Sequence, residues 1–163
     1  MSDLTLEQHV ADLLLSLKMT IAVAESCTGG LICHRLTNIS GSSDYFEMGI
    51  ITYSNRSKTA SLAVSEDIIE TRGAVSGACV EAMGVGVKEK AETPLGFAVS
   101  GIAGPTGGTA EKPVGTVYMA LAGLEDVQSW RFLFKGSRQQ IKAQASEEAL
   151  VKIRDYLLAY RSS

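Results

Sequence analysis

The stretch TIAVAESCTGG, residues 20–30, decides the fold. Residues 20–24 are short, apolar and partly β-branched, the composition of a buried strand. Residues 24–30 then place a hydroxyl, a thiol, a second hydroxyl and two glycines where that strand ends. A strand that runs through a glycine turn into a helix presents side chains and free backbone N–H groups together, which suits a nucleophile and an anion cradle alike. Leu31, Ile32, Leu36 and Ile39 mark the helix that follows.

Outward from this unit the chain alternates. Upstream, Thr5 and Gln8 form a capping-box pattern, and Leu6, Val10, Leu13, Leu14 and Leu17 recur at helical spacing. Downstream, residues 41–44 (GSSD) carry turn chemistry and residues 47–53 (EMGIITY) form the next strand. Ser54 or Asn55 caps a short helix, which puts Tyr53 at a strand end and Lys58 about one turn into the helix, where both can face one cleft. Further helices are predicted over residues 66–72 and from a Ser76 cap to about residue 89, with a strand at 97–100 (FAVS). Strands at 114–122 and 129–134 are joined by too few residues for a parallel crossover, so they pair antiparallel and the sheet is mixed. Ile141, Ala145, Ala149 and Ile153, spaced by four with Leu150 and Leu157 alongside, predict a closing helix from residue 137 to about 160. The expected fold class is α/β, one three-layer α/β/α domain over residues 1–163 with helices on both faces of a mixed sheet and no repeats or linkers.

Composition narrows the function. With 163 residues, 45% hydrophobic and 20% charged, the chain can bury a substantial core and does not read as disordered. A formal net charge of −3 argues against binding nucleic acid through phosphate neutralisation and favours a small-molecule ligand. Cys27, Cys33 and Cys79 are odd in number and form no CxxC pair, so they read as reduced thiols, neither a disulfide framework nor a metal site. The start, MSDLTLEQHV, does not read as a secretory signal, and no apolar run reaches the roughly 18 residues that span a bilayer. The expectation is a cytoplasmic protein without a membrane partner.

Ser26 is the candidate nucleophile, although on this segment alone Ser, Cys and Thr before two glycines are read more simply as helix caps. A serine needs a base, and His9 and His34 both read as surface residues, which disfavours a Ser-His-Asp triad. Lys58 is the alternative base, provided burial or a neighbouring cation brings its pKa down from about 10.4. The competing assignment is a solvated helix lysine; Tyr53 favours the base, since its phenol could hydrogen-bond the serine or the amine. Cys27 is the rival nucleophile beside a helix N-terminus, with a packing role as its simpler assignment; strand alternation would let only one of Ser26 and Cys27 face the cleft. Residues 100–108 (SGIAGPTGG) follow a strand with glycines at 101, 104, 107 and 108, so the backbone can approach a ligand, yet the spacing matches neither GxGxxG nor a P-loop. Lys112 and Arg138 could add positive charge for a phosphate.

Three segments together carry a family resemblance: AESCTGG, GSSDYFEMGIITYSNRSK followed by GAVS at 73–76, and SGIAGPTGGTAEKPVGTVY. In this order they resemble the C-terminal domain of the competence-damage-inducible CinA family, whose stand-alone members include nicotinamide mononucleotide deamidases. The resemblance implies hydrolysis of the nicotinamide amide to nicotinate mononucleotide and ammonia in pyridine-nucleotide salvage, with no cofactor, no metal and self-association into a homo-oligomer. It carries the nucleophile onto Ser26, the general base onto Lys58 and pocket roles onto Tyr53, Ser43 and Ser100. Arg138 resembles an arginine near the start of the last helix and is matched to the substrate phosphate. Thr28, Gly29 and Gly30 would supply backbone donors, and Gly101 and Gly104 would line the ligand loop. Thr106 stands where many relatives carry an acidic residue or glycine, which changes that loop's contacts. No segment here matches the separate N-terminal domain of full-length CinA proteins. The alternative is a regulatory nucleotide-binding domain, linked to competence or DNA damage, that keeps the pocket without useful turnover.

Overall fold

The computed structural model describes residues 4–163, so the first three residues of the N-terminal stretch lie outside it. Thr5 caps α1 (Leu6–Leu17), accepting from Gln8 N at 3.2 Å, but the Gln8 amide turns to Asp12 at 2.8 Å and the capping box is only half made. The chain continues through β1 (Ile21–Glu25), α2 (Leu31–Thr37), a 3-10 turn at Ser42–Asp44 and β2 (Phe46–Ile51). Next come α3 (Asn55–Leu62), α4 (Glu66–Arg72), α5 (Gly77–Ala91) and β3 (Leu95–Gly101). The antiparallel strands β4 (Thr116–Ala122) and β5 (Val127–Leu133) and the long helix α6 (Arg138–Arg161) close the chain. Ser137 and Gln140 complete a full capping box at the start of α6, where each side chain satisfies the other's backbone N–H.

The five strands lie in the order β2-β1-β3-β4-β5. β1 pairs parallel with β2 and β3, while β3-β4 and β4-β5 are antiparallel, so the sheet is mixed. Strand alternation divides the core in two. Ile21 and Val23 of β1, Phe97 and Val99 of β3, and Met119 and Leu121 of β4 face α1, α2 and α6. Ala22, Ala24, Ala98 and Ala120 face the other way, under Cys79, Val80, Met83 and Val87 of α5. Alanines there let α5 approach closely, and a Cβ on Gly96 of β3 would strike the Gly84 carbonyl of α5. Apolar burial on both faces of one sheet makes this a three-layer α/β/α domain.

This topology gathers one edge of the sheet. Parallel pairing brings the ends of β1, β2 and β3 together, and antiparallel pairing adds the start of β4 and, through Thr116 opposite Leu133, the end of β5. Arg138 opens α6 at that same edge. In open α/β sheets the crevice outside the carboxyl ends of the strands is where ligands bind. Ser43 lies at the opposite edge, because its turn precedes β2, whose first residue Phe46 pairs with Ile21 at the start of β1. One strand length, about 17 Å at some 3.3 Å per residue, separates it from the end of β1, and it does not join the pocket.

Candidate active site

Past the end of β1, Ser26 N donates to Val99 O of β3 at 3.1 Å, which holds the nucleophile candidate at the sheet edge. Ser54 caps α3 by accepting from Ser57 N at 3.1 Å, and the first turn of that helix aims Lys58 inward. Lys58 is only 1% exposed. Its Nζ lies 3.0 Å from Ser26 Oγ, 2.8 Å from Thr52 O and 3.2 Å from Tyr53 O. As an ammonium it donates to all three; as a neutral amine it donates to the two carbonyls and turns its lone pair to the serine hydroxyl. Burial pushes the Lys58 pKa below its ordinary value, opposed by the Cys79 and Cys27 thiols, and no carboxylate among the described residues pairs with it.

A cavity of about 270 Å³ opens over this pair. Its walls include Tyr53, Asn55, Ser100, Gly101, Gly104, Thr106 and Arg138, together with Ala74 and Val75 from the GAVS segment. Larger depressions of about 460 and 470 Å³ on the surface hold no such nucleophile and base. Among the described residues, no group of three or more His, Cys, Asp or Glu is placed to hold a metal ion. His34 is exposed and His9 half-buried, and neither lines the cavity.

Three expectations need correction. Tyr53 reaches Lys58 through its carbonyl; its phenol lies at the mouth, 57% exposed, and accepts from Arg138 at 2.8 Å. The cause is strand length, since β2 ends at Ile51, Thr52 N turns to Glu25 O at 2.9 Å, and the Tyr53 ring is carried outward. Thr28, Gly29 and Gly30 do not line the cavity, and several donors of this turn are already engaged within the protein. Glu25 is fully buried and accepts from Thr28 Oγ1 at 2.5 Å, Ile32 N at 3.0 Å and Cys33 N at 2.9 Å, while Gly29 N donates to Ser26 O at 3.1 Å. Glu25 was legible only as part of the motif, since a carboxylate bonding seven and eight residues ahead follows no standard capping spacing. Lys112 lies away from the cavity, and its Nζ donates to Arg72 O at 3.0 Å.

Cys27 also lines the cavity, because the strand has ended at Glu25 and alternation no longer applies at residues 26 and 27. Burial and the nearby Glu25 push its thiol up to about 12, against the pull of Lys58 and Lys142. A thiol so placed is a poor nucleophile at neutral pH. Iodoacetamide at about pH 7.5 is therefore expected to leave turnover intact, and Cys27→Ala to stay within about threefold of wild type in kcat; loss of activity in both would make Cys27 the nucleophile.

The fold and site define a three-layer α/β domain with a buried serine–lysine pair beneath a glycine-walled cavity. The chain belongs to the CinA C-terminal domain family, whose model matches residues 3–157. A CinA-like protein of Geotalea uraniireducens is 47% identical over 159 residues, covering 98% of this chain and 38% of that protein. Another, from Syntrophus aciditrophicus, is 50% identical over 158 residues, covering 96% of this chain and 38% of that protein. The chain thus spans about two fifths of the length of these curated relatives. Among solved structures, a competence-damaged protein (CinA) superfamily protein from Klebsiella pneumoniae 700603 superposes with a TM-score of 0.91 at 31% identity, covering 94% of this chain and 96% of its own. The competence/damage inducible protein CihA from Agrobacterium tumefaciens gives 0.82 at 33% identity, covering 99% and 98%.

Proposed function

We propose that this protein is an amidohydrolase that converts nicotinamide mononucleotide and water to nicotinate mononucleotide and ammonia, in the cytoplasm, as a step of pyridine-nucleotide salvage. The observation that carries the proposal is the 3.0 Å contact between Lys58 Nζ and Ser26 Oγ, made by a lysine without an acidic partner among the described residues. The family resemblance supplies the substrate. A self-associating protein that binds this small nucleotide, and neither nucleic acid nor membrane, completes the proposal; among the described residues no helix is long and apolar enough to cross a membrane.

In the proposed reaction, Ser26 Oγ attacks the carboxamide carbon as neutral Lys58 takes the hydroxyl proton. The tetrahedral intermediate collapses, the C–N bond breaks, and Lys58 returns a proton to the departing ammonia. Water then attacks the Ser26 ester, giving its proton to Lys58, and the serine oxygen leaves with that proton to release the carboxylate product. Oxyanion donors must come from the cavity wall, because Glu25 already holds Ile32 N and Cys33 N at the start of α2. The backbone from Ala103 to Gly107 supplies part of that wall. Tyr53 serves through its carbonyl on Lys58 and its phenol on Arg138.

The pH profile of kcat/KM tests the base. Lys58 acts without its proton, so activity rises with pH through an ionisation lying below the 10.5 of an ordinary lysine. A profile flat from about pH 6 to 10 would contradict a lysine base.

A further inference from the structure

We infer that Lys142 is a second phosphate-binding residue of this site, acting with Arg138 one turn earlier on α6 and setting a preference for nucleotide over nucleoside amides. The inference rests on the amidohydrolase proposal above. A nucleotide brings an anion to the cavity, and the usual cradle, the glycine turn into α2, is closed by the Glu25 carboxylate on Ile32 N, Cys33 N and Thr28 Oγ1. With Ile32 N and Cys33 N taken, cationic side chains near the cavity are the natural partners for the charge of the ligand.

Arg138 is fixed at the mouth of the cavity, donating through Nη1 to Gly104 O and through Nη2 to the Tyr53 phenol, each at 2.8 Å. Positions 138 and 142 are four apart on one helix, so their side chains share a face with Cβ atoms about 5–6 Å apart. Lys142 is half-buried and stands beside the cavity without lining it, its Nζ over the glycine turn, 3.7 Å from where a Cβ on Gly29 would sit. Its charge reaches the Cys27 thiol on the cavity wall. Further along α6 Lys152 pairs with Glu148 and Arg154 with Asp155, and Arg35 meets Glu147, whereas Lys142 joins none of the ion pairs among the described residues. Two cations one helical turn apart, neither in an ion pair among the described residues, stand near the nucleophile, while the Glu25 carboxylate below the turn is taken up by its own three donors. A planar guanidinium and a mobile ammonium together suit the several oxygens of a phosphate monoester.

The test compares kcat/KM for nicotinamide mononucleotide and for nicotinamide riboside, its counterpart without phosphate, in wild type, Lys142→Ala and Lys142→Arg. Lys142→Ala is expected to lower kcat/KM for the nucleotide about tenfold, chiefly through KM, and to leave the riboside unchanged, while arginine restores most of the loss. On the Ser26→Ala background, the Kd for nicotinamide mononucleotide should weaken by a similar factor when Lys142 is also replaced. Equal losses with both substrates, or no loss with the nucleotide, would overturn the assignment while leaving the amidohydrolase intact. A folded wild type that neither hydrolyses nor binds the nucleotide would overturn the functional proposal and this inference with it.

Discussion

Replacing Ser26 by alanine or Lys58 by methionine is expected to lower kcat for nicotinamide mononucleotide on the order of 10³-fold or more, and the double variant should be no worse than the weaker single one. The hydroxyl and the amine act as one unit: the serine is a weak nucleophile until the amine takes its proton, and the amine has no hydroxyl to activate once the serine is gone. Lys58 is 1% exposed, so a solvent-borne base cannot easily take its place at Ser26 Oγ. The Kd for substrate should change only a few-fold in either single variant, because the cavity wall and Arg138 are untouched. Ammonia release under saturating substrate, with the Kd measured alongside, checks both parts. Losses that multiply in the double variant would mean the two residues act independently.

Glu25→Ala is expected to cost about 3 kcal/mol of stability, roughly 10 °C in Tm for a chain of this size, and to depress kcat as well. Truncation strips acceptors from Ile32 N, Cys33 N and the Thr28 hydroxyl in a fully buried setting, and an unmet buried donor costs about 1–3 kcal/mol. Glu25→Gln should fall between the two. An amide oxygen can keep the bonds from Thr28 Oγ1 and Ile32 N, which share one carboxylate oxygen, but its NH₂ then faces the Cys33 N–H, donor against donor. Activity follows because Ser26 is the next residue, and because Glu25 O receives Thr52 N, whose own carbonyl holds Lys58 Nζ. Urea unfolding and kcat for the two variants check this; a Glu25→Ala protein as stable as wild type would remove the carboxylate from the account.

Much of this site is legible in the sequence because local rules act where it forms. A β-branched apolar run ending in two glycines predicted the strand and turn that carry Ser26, and a cap at Ser54 or Asn55, found at Ser54, predicted the helix that carries the base. The short connection between the last two strands predicted their antiparallel pairing and so the mixed sheet. The misplacements arise where distant chain decides the geometry. Ser43 stands near the nucleophile in sequence but a strand length away in space, since β2 runs parallel to β1 and carries the chain across the sheet. The Tyr53 phenol turns to Arg138, 85 residues further on, a contact no local pattern encodes. The glycine turn reads as an anion cradle until Glu25, inside the same motif, is seen to fill it with the protein's own carboxylate. Lys142 carries no motif at all; the close approach of α6 to Gly29 is what brings it beside the site.

The most direct test of the serine–lysine amidohydrolase is a single incubation of the purified protein with nicotinamide mononucleotide, reading ammonia and nicotinate mononucleotide together, with Ser26→Ala in parallel. The expected result is one-to-one formation of both products by the wild type and none above background by the variant. A folded wild type that binds the nucleotide yet releases no ammonia, or a Ser26→Ala protein that releases it at the wild-type rate, would contradict the mechanism.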